Sequence, residues 1–458
     1  MTHQYGSIVI GAGQAGPPLA EKLGQSGESV AIIERAKVGG TCVNYGCIPT
    51  KALVASARAA HVARRGDDFG VEVGEVGVDM QKVHDRMEAI SGESNENVAN
   101  WIDGMEGVDL VRGHARFVDE RRLEVDGESY EADKIFINVG GRARIPDIDG
   151  LEQVDYLTNV DMLEFEALPE HLVIIGGSYI GIEFGQMFRR FGSEVTIVEM
   201  GPRLIGRESP DVSEAVQDIL RAEGIDLQLD STCFAVTKRG DGATVSIERS
   251  DGIDEIHGSH LLLATGRVPN TDDLGLEKAG ITTDDQGYVE VDDKLRTTVA
   301  NVWALGDCNG EGAFTHTAWN DFEILSDNLI EDADRSVDDR IPCYGLFMDP
   351  PLARVGMTES QARESDRNVL VGKRPMSRVG RARERSETDG FIKVLIDADS
   401  KEVLGAAILG INGDEAIHSL LTLMYAGASY EVMTHAVHIH PTVSELLPTV
   451  LKNLEPLE

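Results

Sequence analysis

Apolar residues in this chain fall into short continuous runs separated by glycine turns and amphipathic stretches. Residues 7–10 form one run, a glycine turn and a helix-like stretch follow, and a second run occupies residues 30–33. The same order returns with runs at residues 172–175 and 195–198. Short continuous apolar runs are typical of parallel strands that are buried on both faces. The pattern therefore predicts two strand–helix–strand units.

The pattern changes after residue 340. Strand-like runs with some alternation occupy residues 391–396 and 403–408, and a helix-like stretch follows at residues 414–425. This order predicts a separate α+β domain. We therefore predict an α/β protein with two Rossmann-like dinucleotide-binding domains and a C-terminal α+β domain.

The first glycine turn has the residue types that a bound dinucleotide requires. Gly11 allows a tight turn, Gly13 allows close approach to a pyrophosphate, and Gly16 allows close helix packing. Glu34, at the end of the next strand, is placed to accept hydrogen bonds from a ribose. A glycine pattern alone occurs in many turns, but the full strand–turn–helix–strand–acid order predicts a nucleotide site.

The second turn contains Gly176 and Gly181, but Ser178 stands at the middle glycine position. The phosphates would therefore approach this backbone less freely. An ordinary structural βαβ unit is the alternative to a second nucleotide site. Glu199 ends the following strand.

Glu199 bears on the choice of nicotinamide nucleotide. A carboxylate there binds a ribose 2′-hydroxyl and repels a 2′-phosphate, so it favours NADH over NADPH. Arg203 and Arg207 follow closely and could reach a phosphate instead. We expect NADH or NADPH as cofactor, with a small preference for NADH.

Length and charge exclude several classes of protein. At 458 residues the chain is long enough for about three domains. No apolar run approaches the roughly 18 residues that cross a bilayer, and the first run begins too early for a cleavable leader. The net charge of -37 argues against nucleic acid as a partner. We expect a cytoplasmic protein with no membrane partner.

The acidic excess is spread along the chain, and only 12 of the 42 basic residues are lysine. A surface far from neutrality stays soluble when salt screens charge repulsion. This composition predicts a halophilic source with a salt-rich cytoplasm. An ordinary acidic enzyme is the alternative.

The chain has five cysteines, of which only Cys42 and Cys47 are close in sequence. In a regular helix this spacing corresponds to a rise of about 7.5 Å, beyond the roughly 7 Å Cα separation that a disulfide allows. A redox pair therefore needs a distorted backbone, which Gly46 and Pro49 permit. A zinc site would need a second ligand pair at finger-like spacing, so we do not expect a metal. Two inert buried cysteines are the other alternative.

The segment GGTCVNYGCIPTK at residues 39–51 resembles the redox motif of the pyridine nucleotide-disulfide oxidoreductases, and this likeness extends over nearly the whole chain. The resemblance implies that FAD is the second cofactor. It implies that Cys47 lies against the flavin as a thiolate and that Cys42 is the thiol that meets substrate. It also implies that Lys51 contacts the flavin and pairs with Glu183.

The segment HPTVSE at residues 440–445 resembles the same family's acid–base motif. A histidine oriented by a carboxylate moves protons near neutral pH, as thiol–disulfide exchange requires. The resemblance implies that His440 and Glu445 serve the active site of the other subunit of a homodimer. His435, His438 and His440 could instead form a metal site, although the spacing puts His438 and His440 on one strand face without supporting acids.

The domain bounds follow from the same resemblance. Residues 1–148 and 266–338 are expected to bind FAD, residues 149–265 to bind NAD(P)H, and residues 339–458 to form a dimerisation domain. Asp307 ends an apolar run and is expected to bind the ribityl hydroxyls of FAD. The remaining cofactor-binding residues that we expect are Gly40, Thr41, Ala115, Gly140, Gly266, Phe314, Thr315 and His316.

The segment at residues 347–359 resembles the mercuric-reductase-like branch of the family. True mercuric reductases add a C-terminal cysteine pair, whereas this sequence has no cysteine after Cys343. We therefore expect a small disulfide as substrate, such as bis-γ-glutamylcystine, whose thiol form halophilic archaea use. A metal-ion or oxidant-defence reductase, a dihydrolipoamide dehydrogenase and a non-enzymatic flavin-binding scaffold are the alternatives.

Overall fold

The computed structural model of the chain describes residues 2–457. Its first part contains β1 (Thr2–Ile10), α1 (Gly16–Gln25), β2 (Val30–Glu34), α2 (Gly40–Asn44), α3 (Cys47–Arg64), α4 (Met80–Asp103), β3 (Val108–Arg112), β4 (Ala115–Phe117), β5 (Arg122–Val125), β6 (Glu128–Ile137) and β7 (Gly141–Ala143).

The second part contains β8 (Tyr156–Leu157), α5 (Asn159–Leu163), β9 (His171–Ile175), α6 (Tyr179–Phe191), β10 (Glu194–Val198), α7 (Pro210–Ala222), β11 (Asp226–Gln228), β12 (Thr232–Arg239), β13 (Gly242–Arg249), β14 (Gly252–Gly258) and β15 (His260–Leu263). The chain then returns to the first part with β16 (Arg267–Pro269), α8 (Leu276–Ala279), β17 (Val302–Ala304) and α9 (Thr315–Ile330).

The last part contains β18 (Cys343–Leu346), β19 (Leu352–Gly356), α10 (Glu359–Glu364), β20 (Val369–Pro375), α11 (Gly380–Glu384), β21 (Phe391–Asp397), β22 (Val403–Leu409), α12 (Gly413–Ala416), α13 (His418–Tyr425), α14 (Glu431–His435), α15 (Leu447–Leu451) and β23 (Glu455–Pro456).

Two sheets with parallel centres form the nucleotide folds that the apolar runs predict, and β5 and β4 extend the first of them as antiparallel strands. In the first, β1 lies between β2 and β6, β3 follows β2, and β17 pairs in parallel with β6. In the second, the order is β11-β10-β9-β15-β8, and all pairs are parallel. Each sheet places a glycine turn and a strand-end acid at the carboxyl ends of its strands, which is where ligands bind in open α/β sheets.

Two small antiparallel sheets, β12-β13-β14 and β16-β7, accompany these folds, and the last part of the chain forms an antiparallel sheet in the order β18-β19-β22-β21-β20-β23. Both β21 and β22 are buried at every position. One face packs against α13, α14 and α15, while Phe391 and Leu409 on the other face join the core that contains α3 and α6. The prediction of two Rossmann-like folds and a C-terminal α+β domain is confirmed.

One local expectation is wrong. The sequence spacing placed His438 and His440 on a strand face, but residues 436–443 contain no strand. The ring of His438 instead hydrogen bonds through Nε2 with the carbonyl of Met433, at 3.1 Å. Pro441 supplies no backbone N–H for a sheet, so this segment is a loop held by side chains. No helix within residues 2–457 is long and apolar enough to span a membrane.

Candidate active site

Both glycine turns bring a helix directly against the turn that precedes it. A Cβ atom on Gly16 would lie 2.2 Å from the carbonyl oxygen of Gly11, and a Cβ on Gly181 would lie 2.0 Å from that of Gly176. Real Cβ atoms do not approach a carbonyl so closely, so each helix start requires glycine at this position.

Each strand-end acid accepts one hydrogen bond from the backbone of the glycine turn and one from the backbone two residues after the acid. Glu34 Oε2 accepts from Ala12 N at 2.9 Å, and Oε1 accepts from Ala36 N at 2.7 Å. Glu199 is held in the same way by Gly177 N at 2.7 Å and Gly201 N at 2.8 Å. The two carboxylates therefore stand at equivalent edges of their sheets, with their orientation set by the backbone.

The helix N-termini at these turns suit phosphate groups. Neither α1 nor α6 has a side-chain hydrogen bond at its N-cap, and neither has an acidic residue in its first turn. The backbone N–H groups of a first turn attract anions when no side chain satisfies them. The first-turn N–H groups of α6 therefore fit a pyrophosphate. At α1, where Pro17 and Pro18 have no N–H, the glycine turn and the positive end of the helix dipole fit one instead.

The other residues expected to contact cofactor lie at four places. Gly40 and Thr41 begin α2, and Gly40 packs beside Gly13. Ala115 is buried in β4, so its side chain belongs to the core. The remainder lie in loops at the strand ends, in the 3-10 helix Gly306–Asn309 or at the start of α9: Gly140, Gly266, Asp307, Phe314, Thr315 and His316. Arg267 donates to Asp307 Oδ2 at 3.2 Å, a contact that the sequence did not predict.

Cys42 and Cys47 lie on either side of a break between two helices. Cys42 belongs to α2, whereas Cys47 is the first residue of α3, and the chain leaves helical geometry at Tyr45 and Gly46. The expected backbone distortion is therefore present. Both cysteines are free thiols. Cys47 Sγ also hydrogen bonds with Thr315 Oγ1, at 3.1 Å.

The two thiols have opposite acidities. A side-chain hydrogen bond with Cys42 is the largest of the effects that lower the pKa of Cys47, and together with Thr315 and Lys51 it brings this pKa to about 6 against the opposing effect of burial. The same contact between the thiols raises the pKa of Cys42, as does burial. At neutral pH the pair therefore holds one thiolate, on Cys47, and one thiol, on Cys42.

Lys51 reaches into the second nucleotide fold. Its Nζ donates to Glu183 Oε2 at 2.7 Å, and the Glu183 side chain is only 6% exposed. Glu183 Oε1 accepts from the backbone N of Phe347 at 2.9 Å, and Lys51 Nζ lies 4.7 Å from the centre of the Phe347 ring. These contacts connect α3 in the first part of the chain with α6 in the second part and with the residue that follows β18 in the last part.

An aromatic cluster stands beside Thr315. The Phe314 ring lies 5.7 Å from Tyr179, 5.9 Å from Tyr344 and 5.3 Å from His316, measured between ring centres. Tyr344 donates its hydroxyl to the buried carboxylate of Glu208. Tyr179 and Tyr344 were not predicted from the sequence. The only sequence signal was the position of Tyr179 directly after the second glycine turn.

His440 and Glu445 form a hydrogen-bonded pair at the opposite end of the chain. His440 Nδ1 lies 2.8 Å from Glu445 Oε2, which leaves Nε2 as the outward nitrogen. The imidazole is 78% exposed, whereas the carboxylate is 15% exposed. Within the described part of the chain, no three or more metal-binding side chains of histidine, cysteine, aspartate or glutamate gather around a common point.

Comparisons with known proteins agree with this geometry. The family model described as pyridine nucleotide-disulphide oxidoreductase matches residues 5–321, and the model of that family's dimerisation domain matches residues 343–451. The chain is 36% identical to the probable pyridine nucleotide-disulfide oxidoreductase RclA of Escherichia coli, over 97% of this chain and 98% of that protein. The chain belongs to the pyridine nucleotide-disulphide oxidoreductase family.

Other members of the family are nearly as similar. Mercuric reductase of Streptomyces lividans is 34% identical, over 97% of this chain and 94% of that protein. Dihydrolipoyl dehydrogenase of Haloferax volcanii is 34% identical, over 97% of this chain and 95% of that protein. The solved structure of the Cu(II) complex of the HOCl-induced flavoprotein disulfide reductase RclA from E. coli matches with a TM-score of 0.90 and 34% identity, over 98% of this chain and 99% of that one.

Membership of this family establishes the general activity. The chain is an enzyme, a flavoprotein disulfide reductase of the RclA and mercuric reductase type, and its family binds FAD and uses NAD(P)H. Residues 343–451 form the family's dimerisation domain. The resemblance drawn from the redox and acid–base motifs is confirmed.

The low pKa of Cys47 leads to a spectroscopic prediction. In reduced enzyme carrying FAD, we expect a long-wavelength thiolate–flavin absorbance band that appears as the pH rises through about 6. Thr315→Val removes a hydrogen bond to the sulfur and should move this midpoint to higher pH. Absorbance against pH measures both midpoints, and Cys47→Ser, without a band at any pH, is the control. A midpoint near the ordinary thiol value in the unmodified enzyme, or an unchanged midpoint in Thr315→Val, would contradict the assignment.

Proposed function

We propose that this enzyme passes electrons from NAD(P)H through FAD and the Cys42–Cys47 pair to a low-molecular-weight disulfide such as bis-γ-glutamylcystine. One observation carries the proposal: a thiol and a thiolate in contact at the N-terminus of α3, with Lys51 one turn further along that helix. The helix N-terminus and the ammonium group both stabilise negative charge on sulfur.

The folds that contain α1 and α6 would hold FAD and the nicotinamide nucleotide, which together would supply the electron pair that reduces the Cys42–Cys47 disulfide. In the dithiol that results, Cys42 attacks one sulfur of the substrate, forms a mixed disulfide and releases one thiolate. Cys47 then attacks Cys42 Sγ, releases the second thiolate and restores the intramolecular disulfide. Two electrons and two protons thus convert one disulfide into two thiols.

His440 supplies the proton movements of this exchange. It takes the proton of Cys42 before attack and returns protons to the departing thiolates, while Glu445 holds its imidazole in place. The exposed position of His440 supports a role at the active site of a second subunit, so we infer a homodimer with shared sites.

We also infer the division of the chain that serves this activity. Residues 1–148 with 266–338 bind FAD, residues 149–265 bind the nicotinamide nucleotide, and residues 339–458 form the dimer contact. The uncapped helix α6 supports the second of these assignments, because the backbone N–H groups of its first turn have no side-chain partner and are open to a pyrophosphate.

Metal-ion reduction is the second candidate function. The similar RclA of E. coli has been solved as a Cu(II) complex, and mercuric reductases are among the similar proteins.

A substrate panel separates these functions. NADH and NADPH oxidation is measured in concentrated KCl with bis-γ-glutamylcystine, glutathione disulfide, oxidised lipoamide, Hg(II) and Cu(II). We expect the highest kcat/KM with bis-γ-glutamylcystine. A higher value with lipoamide or with either metal ion would replace the proposed substrate with that compound.

Glu199 is expected to set the choice of nicotinamide nucleotide. Its carboxylate is fixed at the strand end by two backbone N–H groups, where it would meet the 2′ position of the ribose. We expect NADH to be preferred over NADPH. Glu199→Gln should lower the ratio of the flavin reduction rate with NADH to that with NADPH by about 10-fold, because the variant removes charge repulsion against a 2′-phosphate. The rate of flavin reduction at varied NADH and NADPH measures this effect.

Arg203 and Arg207 provide the opposing test. If the unmodified enzyme prefers NADPH and Arg203→Gln or Arg207→Gln removes that preference, the assignment to Glu199 is wrong.

A further inference from the structure

Two helices of the redox site, α3 and α6, lie side by side and are linked by charged groups at two levels. At the first level, Lys51 of α3 pairs with Glu183 of α6. Seven residues further along each helix, Arg58 of α3 and Arg190 of α6 meet on the carboxylate of Asp349. Seven residues correspond to about two helical turns, or about 10.5 Å. The two helices therefore run in the same direction, and the second link lies two turns beyond the first.

One short segment contributes to both levels. The backbone N of Phe347 donates to Glu183, and the ring of Phe347 lies beside the ammonium group of Lys51. Asp349 follows two residues later, between β18 and β19. Residues 347–349 therefore lie between α3 and α6 and contact both links.

The position of Asp349 is set by α6. Its carboxylate accepts from Arg190 Nη1, and its carbonyl oxygen accepts from Gln186 Nε2 at 2.7 Å. Its backbone N donates to Gln186 Oε1, also at 2.7 Å. Arg190 is held in turn by two bonds to Glu223, at 2.7 and 2.8 Å. Since Asp349, Gln186 and Arg190 are all buried, these contacts are shielded from water and salt.

Arg58 connects α3 to this aspartate. One nitrogen of its guanidinium donates to the Asp349 carboxylate, and another donates to Glu387 Oε1 at 2.7 Å. The donors of a guanidinium form a rigid planar fork, so two carboxylates fix its orientation. The bridge through Asp349 therefore resists sliding or rotation of α3 against α6.

We propose that Asp349 is a positioning residue of the redox site: by bridging Arg58 and Arg190 it sets how α3 lies along α6 and thereby keeps Lys51 on Glu183. Lys51 is four residues after Cys47 on α3, so a held ammonium group stands near the thiolate. A lysine side chain is long and flexible, and it needs such a partner to stay in one place. The proposal rests on the electron route proposed above only in assigning the thiolate to Cys47, and it does not depend on the substrate.

The acidity of Cys47 reports the position of Lys51 without any substrate. Each variant is made in Cys42→Ser enzyme carrying FAD, in which Cys47 is the remaining thiol of the pair. Two pH titrations are recorded. One follows the long-wavelength thiolate–flavin absorbance, and the other follows the rate at which iodoacetamide alkylates Cys47, with the modified peptide identified by mass spectrometry. Both quantities increase with the fraction of thiolate.

Asp349→Asn is the main variant, because it preserves the shape of the side chain and leaves each arginine a second carboxylate, Glu223 or Glu387. We expect the pKa of Cys47 to rise by about 0.5, since an ammonium group that is held less firmly spends more time in water, away from the sulfur. A direct effect of the lost negative charge on the sulfur would lower this pKa instead.

Arg58→Gln removes the α3 end of the same bridge and should give the same rise. The double variant with Asp349→Asn should show no additional rise, because the two residues act as one unit. In Glu183→Gln enzyme, neither substitution should move the pKa by more than about 0.1, since the partner of Lys51 is already lost.

Arg86→Gln is the matched control for a general loosening of α3. Arg86 of α4 donates to the carbonyl oxygen of Ala52 at 2.9 Å, so it holds the same helix from a different neighbour. This variant should leave the pKa of Cys47 unchanged.

Three outcomes would overturn the proposed role of Asp349: a pKa of Cys47 that falls or stays constant in Asp349→Asn, an equal rise in Arg86→Gln, or a rise that persists in Glu183→Gln enzyme. The two titrations keep this role separate from the electron route. The expected rise in alkylation without any absorbance band would support the role of Asp349 and contradict the placement of Cys47 against the flavin. A band with the same midpoint in all variants would leave the electron route in place and overturn the role of Asp349.

Discussion

Cys42→Ser is expected to reduce disulfide turnover to background, a loss of about 10³-fold or more, because the variant removes the only atom that attacks the substrate. Serine oxygen is a poor nucleophile without a strong base, and Cys47 is turned toward Thr315. The variant cannot form the Cys42–Cys47 disulfide, so the electron pair has no path to substrate.

The spectrum of the same variant tests the roles of the two sulfurs. With Cys42 replaced, Cys47 has no partner for an intramolecular disulfide and stays reduced. Its thiolate should therefore produce the long-wavelength band in the resting enzyme. Cys47→Ser should lack the band and should also lose turnover. Bound FAD in both variants, measured by its visible absorbance, controls for folding. A band in Cys47→Ser and none in Cys42→Ser would mean that Cys42 lies against the flavin and that Cys47 is the thiol that meets substrate.

His440→Ala is expected to lower disulfide reduction by about 10²-fold or more, the usual contribution of a general acid–base. Flavin reduction by the nicotinamide should remain close to that of the unmodified enzyme, because the histidine serves only the thiol–disulfide exchange. Stopped-flow absorbance separates the two half-reactions. His438→Ala is a close control, since that ring hydrogen bonds with the Met433 carbonyl.

The shared site is tested by mixing inactive subunits. A Cys42→Ser chain and a His440→Ala chain should regain activity together, because each heterodimer has one site with an intact cysteine pair and an intact histidine. If activity does not return although labelled subunits exchange, His440 does not act across a dimer interface.

Local sequence patterns predicted most of the framework. Gly16 and Gly181 follow from a packing constraint that acts within a few residues, and the same is true of the strand-end acids Glu34 and Glu199. The need for a helix break between Cys42 and Cys47 also follows from spacing alone, and the break occurs at Tyr45 and Gly46. Apolar runs indicated the three-part fold, because continuous burial selects residue types along a single strand.

Local sequence patterns did not predict the side-chain contacts on which the chemistry of the site depends. Thr315 is 268 residues from the Cys47 sulfur that it contacts, and Phe347 is 164 residues from Glu183. The strand expected around His438 does not form, because the loop is fastened by Met433 and by Arg381, which lies 60 residues before Pro441.

This division has a physical reason. Steric constraints on turns, helix starts and strand burial act over a few neighbouring residues, so the sequence alone determined the nucleotide folds and the position of the redox pair. Side-chain hydrogen bonds and ion pairs depend on distances of about 3 Å between residues that are remote in sequence. Only the tertiary structure therefore decided which groups lower the pKa of Cys47, hold Lys51 and surround the loop of His440.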